Sequence, residues 1–198
     1  MKKSLLIICL VLLCDQVLKV WVKLNMTIGE SFKIIGNWFQ ICFIENNGMA
    51  FGWELSTAVW GKLILVLVRL VAAVVLMIFL YRLSKRDTPF GPVFGISLIV
   101  GGALGNIIDC LCYGMIFSES TFTKLATLFP DGGGYSSFLQ GKVVDMLYFP
   151  LFTFPDWVPF FGNQIFFSPI FNIADSAITI GVFYLIIFQW NFLKKTLS

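Results

Sequence analysis

The chain has 198 residues, 58% of them hydrophobic and 13% charged, with no histidine and a formal charge of +3, and its mean hydropathy is +0.88. So apolar a composition excludes a soluble globular domain and indicates one integral membrane domain spanning 1–198. The lack of histidine excludes histidine general-base chemistry and His-rich metal sites, and basic residues placed at the ends of apolar segments require no nucleic acid to explain them.

Lys2-Lys3 and the apolar run after them imitate a secretory leader, but Leu13 before Cys14 and the resumption of the run past Asp15 favour a retained first span over 4–23. The two lysines place the N-terminus in the cytoplasm. Residues 24–58 carry too many polar groups to cross a bilayer. Phe32–Ile35 and Trp38–Ile44, separated by Gly36-Asn37, read as a small hairpin on the outer face, with a turn at Asn46-Asn47-Gly48. Trp38, Phe39, Phe43, Phe51 and Trp53 suit the membrane interface.

A second span is predicted over 59–81, with Arg69 near its middle and Arg82, Lys85 and Arg86 at its cytoplasmic end. The third, 89–111, is rich in small residues from Gly91 to Gly105 that let helices approach closely, and Asn106 and Asp109 share a face near its outer end. Residues 112–168 form a long aromatic-rich excursion containing Asp145, whose segment 141–150 is expected to close over a site. Ser168-Pro169 reads as the start of a fourth span over 169–193, which Lys194-Lys195 returns to the cytoplasm. The five cysteines lack metal-site or disulfide spacing and read mostly as small buried apolar residues.

On this topology Asp15, Asp109 and Asp175, the last about 9 Å inside its helix, lie near one depth. The loop-borne Asp145 joins them, with Asn46, Asn106 and Asn172. Carboxylates that share a site split their pKa values and act as base and acid around a water, which is aspartic peptidase chemistry. A membrane ion or proton carrier is the alternative, although acids at one depth make a poor ladder for a relay. A hard-cation site built from Asp and Asn is a third reading.

Five segments in order carry a resemblance: Asp15-Gln16-Val17-Leu18-Lys19, Asn46-Asn47-Gly48-Met49-Ala50-Phe51, Gly101 through Asp109, Val143-Val144-Asp145, and Phe171-Asn172-Ile173-Ala174-Asp175-Ser176. Together they resemble the signal peptidase II family, the aspartic membrane peptidases that remove signal peptides from diacylglyceryl-modified prolipoproteins. The resemblance implies a membrane bundle of four transmembrane helices with a small periplasmic β-cradle and an extended periplasmic loop. It also implies an inner-membrane location with both termini cytoplasmic. It assigns the catalytic pair to Asp145 and Asp175, and substrate contact or site shaping to Asp15, Asn46, Gly48, Asn106, Asp109, Asn172 and Ala174. Asp15 and Asp109 could equally hold helices together. The partners implied are a prolipoprotein with a diacylglyceryl cysteine and membrane lipids. No metal, cofactor or nucleic acid is expected, a monomer is, and the family's inhibitor globomycin should act. Cys110 stands where the family usually has arginine; Arg69 either replaces that charge or is a snorkelling or helix-pairing arginine. Two insertions, roughly 118–140 and 152–167, lengthen the outer excursion; their aromatic content points to a lid or a lipid- or substrate-facing surface, and they could equally be family decoration without function.

Overall fold

In the computed structural model, which describes residues 1–47, 59–86 and 88–197, the element order follows the hydropathy pattern closely. Helix α1 covers Lys2–Asn25, strands β1 and β2 cover Ser31–Ile35 and Phe39–Asn46, α2 covers Val59–Lys85 and α3 covers Phe90–Ile108. A π turn, Asp109–Tyr113, and a short α4, Gly114–Ile116, prolong α3. Strands β3 (Val143–Tyr148), β4 (Phe152–Thr153), β5 (Ile165–Phe166) and β6 (Ile170–Phe171) precede α5 (Ile173–Phe188) and α6 (Trp190–Leu197).

Among the described residues three helices are long and apolar enough to cross a membrane: Lys2–Asn25, Gly61–Lys85 and Phe90–Ile116. The pair α5 and α6, bent by 89°, adds a fourth if counted as one span. The helices differ in what covers them. On α2 the side chains of Ile64, Leu67, Val68, Val71, Val75 and Ile78 are all exposed, an apolar face that water would not tolerate and lipid would. Its opposite is α3, the central helix, packed between α1 and α5.

Close approach explains the small residues of α3. A Cβ on Gly102 would lie 2.2 Å from the Ala174 carbonyl oxygen, and one on Gly105 would lie 2.8 Å from Asp15 Oδ2. Both α5 and the side chains of α1 therefore reach the α3 backbone itself.

At one end of the helices lies an antiparallel sheet in the order β1-β2-β3-β6. The expected hairpin is present, with Ser31 opposite Cys42 and Ile35 opposite Phe39. Alternation along β3 sends Val144 and Met146 into a core with Val22, Met26, Ile41, Phe43, Tyr113 and Phe117. Phe43 therefore belongs to this core and not to the interface, whereas Trp38 stays exposed. Phe51, Trp53 and the turn at Gly48 lie outside the described residues.

Two expectations need correction. The last helix does not start at Ser168-Pro169: Ile170 and Phe171 pair with Tyr148 and Leu147 of β3, and Asn172 caps a helix that begins at Ile173. Strand pairing outweighs the local capping signal there, and the helix then stops at Phe188. Nor is Asp145 on a closing loop. It sits in β3, hydrogen-bonded between β2 and β6, with Ile44 as its cross-strand partner.

Candidate active site

The corrected helix start decides how Asp175 is held. Asn172, in extended conformation at the N-cap, accepts the Asp175 backbone N–H on its side-chain oxygen at 2.8 Å. Asp175 is thus in the first turn, near free amide donors that favour a carboxylate, and not a full turn and more inside the helix.

Because Asn172 Oδ1 is committed to the cap, its Nδ2 must point the other way. It donates to Asp145 Oδ1 at 2.7 Å and to Asn106 Oδ1 at 3.0 Å, with the Val144 carbonyl at 3.3 Å. Asn106 is oriented by the same logic. Its Oδ1 accepts from the Lys19 ammonium at 2.9 Å, and an ammonium can only donate, so Asn106 Nδ2 faces Asp175 Oδ1 at 2.7 Å. Asn46 Nδ2 lies 3.3 Å from Asp145 Oδ2. Asp145 and Asp175 therefore each receive an asparagine amide, and the two amides are joined to each other.

Behind them lies a second layer. Lys19 is fully buried and pairs with Asp15 Oδ2 and Asp109 Oδ2, both at 2.8 Å. Gln16 donates to Asp15 at 3.1 Å and to Asp109 at 3.0 Å, and itself accepts from the Tyr113 hydroxyl. One cation serves two carboxylates, so a negative charge would remain in an apolar setting without further donors. The backbone supplies them: Ala174 N–H donates to Asp15 Oδ1 at 2.8 Å and Val144 N–H to Asp109 Oδ2 at 3.2 Å. Each acid of the buried layer thereby grips the residue immediately before one of the outer pair, Ala174 before Asp175 and Val144 before Asp145.

The π turn contributes to this layer. Widening the helix at Asp109 turns both Asp109 and Tyr113 inward, and the Cys110 carbonyl accepts the Gly141 N–H at 2.9 Å at the entrance to β3. A Cβ on Gly141 would fall 2.0 Å from the Asp109 carbonyl oxygen, so only glycine passes there.

Asp145 is nearly inaccessible whereas Asp175 is half-buried. Burial, and then the charge of Asp175, pushes the Asp145 carboxyl up to about 7, against the opposing hydrogen bonds of Asn46 and Asn172. A protonated carboxyl beside a second acid, both oriented by fixed amides, can deliver and receive a proton at a bound water or carbonyl.

Of the other residues singled out in the sequence, Arg69 lies in α2. Its guanidinium reaches the Cys110 thiol, next in sequence to Asp109. Gly48 lies outside the described residues. Lys19 and Gln16 are the site residues that sequence reasoning quoted but did not assign. The signal was present in the four-residue step from Asp15 to Lys19, which puts acid and base on one helix face. A further buried pair, Lys23 with Glu45, locks α1 to β2, and Ser120 from the first insertion accepts from the same ammonium at 3.1 Å. Among the described residues no cluster of three or more acidic, cysteine or histidine side chains has metal-holding geometry.

Comparison with known proteins identifies the family. The family model described as signal peptidase (SPase) II matches residues 7–191. A lipoprotein signal peptidase of Porphyromonas gingivalis is 47% identical over 186 residues, covering 91% of this chain and 80% of that protein. One from Amoebophilus asiaticus is 37% identical over 179 residues, covering 87% and 71%. A solved bacterial membrane enzyme superposes with a TM-score of 0.63 at 29% identity, over 99% of this chain and 90% of its own. The chain, a bacterial membrane protein with a buried carboxylate and asparagine network at one end of its helices, belongs to the signal peptidase II family.

Proposed function

We propose that this chain is an aspartic endopeptidase that removes the signal peptide from diacylglyceryl-modified lipoprotein precursors, cutting before the lipidated cysteine, with Asp145 and Asp175 as the catalytic pair. The observation that carries the assignment is the paired amides: Asn172 on Asp145 and Asn106 on Asp175, at 2.7 Å each, with their polarity imposed by a helix cap and by Lys19. The names of the curated relatives supply the substrate class.

In this reading Asp145 carries the proton at rest, in keeping with its raised pKa. Asp175 takes a proton from a water between the two carboxyls as that water attacks the scissile carbonyl carbon. Asp145 gives its proton to the carbonyl oxygen, leaving a neutral gem-diol. Collapse breaks the C–N bond, with Asp175 returning the proton to the leaving amine and Asp145 recovering its own from the diol hydroxyl. Asn46, Asn106 and Asn172 orient the acids, and their amides are the donors nearest an incoming peptide carbonyl. Asp15, Asp109 and Ala174 shape the site through Lys19 and the backbone clamps. Arg69 places a cation beside Cys110, where the family's arginine would otherwise follow Asp109, and Gly48 belongs to the segment that continues from Asn46.

The topology that fits this chemistry is a single membrane domain of four spans, counting α5 and α6 as one. Basic residues at the helix ends away from the sheet (Lys2, Lys3, Arg82, Lys85, Lys194 and Lys195) then face the cytoplasm. The sheet and both acids face the periplasm, where a precursor anchored by its acyl chains presents its cleavage site.

Purified chain in lipid, given matched precursors with and without the diacylglyceryl group, tests the substrate assignment. It should cut only the acylated form, at the bond before the modified cysteine, and globomycin should stop it. Equal cleavage of the unmodified precursor would overturn the assignment.

A further inference from the structure

The second insertion forms a small structure of its own between β3 and β6. Phe152 pairs with Phe166 and Thr153 with Ile165. The Phe152 and Phe166 rings stack with centroids 4.8 Å apart, and Phe154 packs on Phe161 at 5.6 Å. Most of this aromatic material is nevertheless uncovered: Phe160 is 94% and Trp157 77% exposed. Asp156 is the one charged residue between Pro150 and Ser168.

Three features distinguish the hairpin from an ordinary polar loop. Its turn pairs several of its own backbone groups: Gly162 N–H donates to Val158, Gln164 N–H to Phe161, Asn163 N–H to Phe154 and Phe154 N–H to Gln164. The Gln164 side-chain amide takes the Phe160 carbonyl at 3.1 Å. Such self-pairing is what a segment needs in order to enter a medium poor in hydrogen-bond partners. Second, Phe160 has φ of 66°, a left-handed conformation uncommon for a bulky side chain. That conformation gains no packing inside the chain, because the ring points outward. Third, the hairpin continues an aromatic row across the sheet: Phe167 meets Phe171, Phe171 meets Phe149, and Phe149 meets Trp38.

A separate aromatic pair lies where the sheet meets α1. Phe32 of β1 packs edge-on against Trp21, which is itself exposed on the same end of α1 as the sheet. Exposed tryptophan and phenylalanine at the sheet end of apolar helices match the composition of an aromatic membrane belt.

We propose that the hairpin over 151–167 is an interfacial anchor, with Trp157, Phe160 and Phe161 inserted among the headgroups and upper acyl chains of the leaflet nearest the active site. Because β6 runs straight from this hairpin into Asn172, the anchor sets the level of the site relative to the membrane surface. The occupant is the bilayer itself, since the uncovered side chains are large and apolar and the segment carries one charge, Asp156.

The test uses the full chain and its Trp157→Phe variant in phosphatidylcholine vesicles brominated near either the headgroup or the centre of the acyl chains. The difference between the two proteins isolates the Trp157 emission. It should fall by about twofold or more with shallow bromines, fall less with deep ones, and resist aqueous iodide. The paired change Phe160→Ser with Phe161→Ser should return Trp157 to iodide. Iodide quenching equal to that of free tryptophan would overturn the anchor, as would shielding that appears only when diacylated precursor is added or only at high protein-to-lipid ratio. Cleavage in the same vesicles is read separately, so a failed anchor and a failed peptidase assignment give different results.

Discussion

Asn172 does two jobs with one amide, and the two can be separated. Its oxygen caps α5 and its nitrogen holds Asp145. Serine keeps a capping oxygen but has no amide to offer, so Asn172→Ser should leave thermal stability close to the parent while cutting the cleavage rate severely. The loss also has a pH signature. The Asn172 hydrogen bond favours ionised Asp145, so its removal raises the Asp145 pKa further from about 7. With Asp145 as the proposed acid, its proton is lost as pH rises through about 7, and kcat/KM should fall on that limb; in Asn172→Ser the fall should move to higher pH. A limb that stays in place would show that the amide does not tune Asp145. Folding follows the same sign. Native Asp145 binds a proton between its unfolded pKa and about 7, so its contribution to stability is complete at low pH and declines as pH rises across that window. Lys19 is the second decisive residue. Lys19→Met leaves Asp15 and Asp109 buried without their shared cation, which should cost about 3–5 kcal/mol and lower the midpoint of thermal unfolding in detergent. A variant as stable as the parent would show that the cluster is not the clamp described above.

The elements are set by close approach as much as by hydropathy. Gly102 lets the Ala174 carbonyl rest on the α3 backbone, so Gly102→Ala should displace the start of α5. The overpacking should cost about 1–3 kcal/mol and most of the activity. Gly132 is the control, because a Cβ there would meet nothing within 4 Å, and Gly132→Ala should change neither thermal midpoint nor rate. The helices were legible in the sequence because apolar length and flanking charge are local properties; α1, α2 and α3 lie within a few residues of the predicted spans. The first hairpin was legible for the same reason, its turn being marked by Gly36-Asn37. What escaped was long-range pairing. Nothing near Pro169 announces that Ile170 and Phe171 will join a strand whose sequence lies more than twenty residues earlier, so a good local cap lost to a sheet ladder. For the same reason Asp145 looked loop-borne, although β3 is held on both sides.

At the level of the molecule, the acids at one depth were readable from topology, but their division of labour was not. Periodicity placed Asn106 with Asp109 and Asn172 with Asp175. The structure pairs them differently, with Asn106 serving Asp175, Asn172 serving Asp145, and Asp109 turned back toward Lys19. Those assignments depend on which end of each amide faces a cation or a helix cap, which no spacing rule encodes. The outcome is a layered network. The Lys19 cluster holds the backbone of Ala174 and Val144, the residues immediately before Asp175 and Asp145. The central claim is that Asp145 and Asp175 are the two groups that move protons. The most direct measurement is single-turnover cleavage of a diacylated precursor by the purified, folded Asp145→Asn and Asp175→Asn variants, with release of the signal peptide followed by mass. Both should bind the precursor and release no peptide on the time scale of the parent; a single variant that cuts at the parental rate would contradict the account.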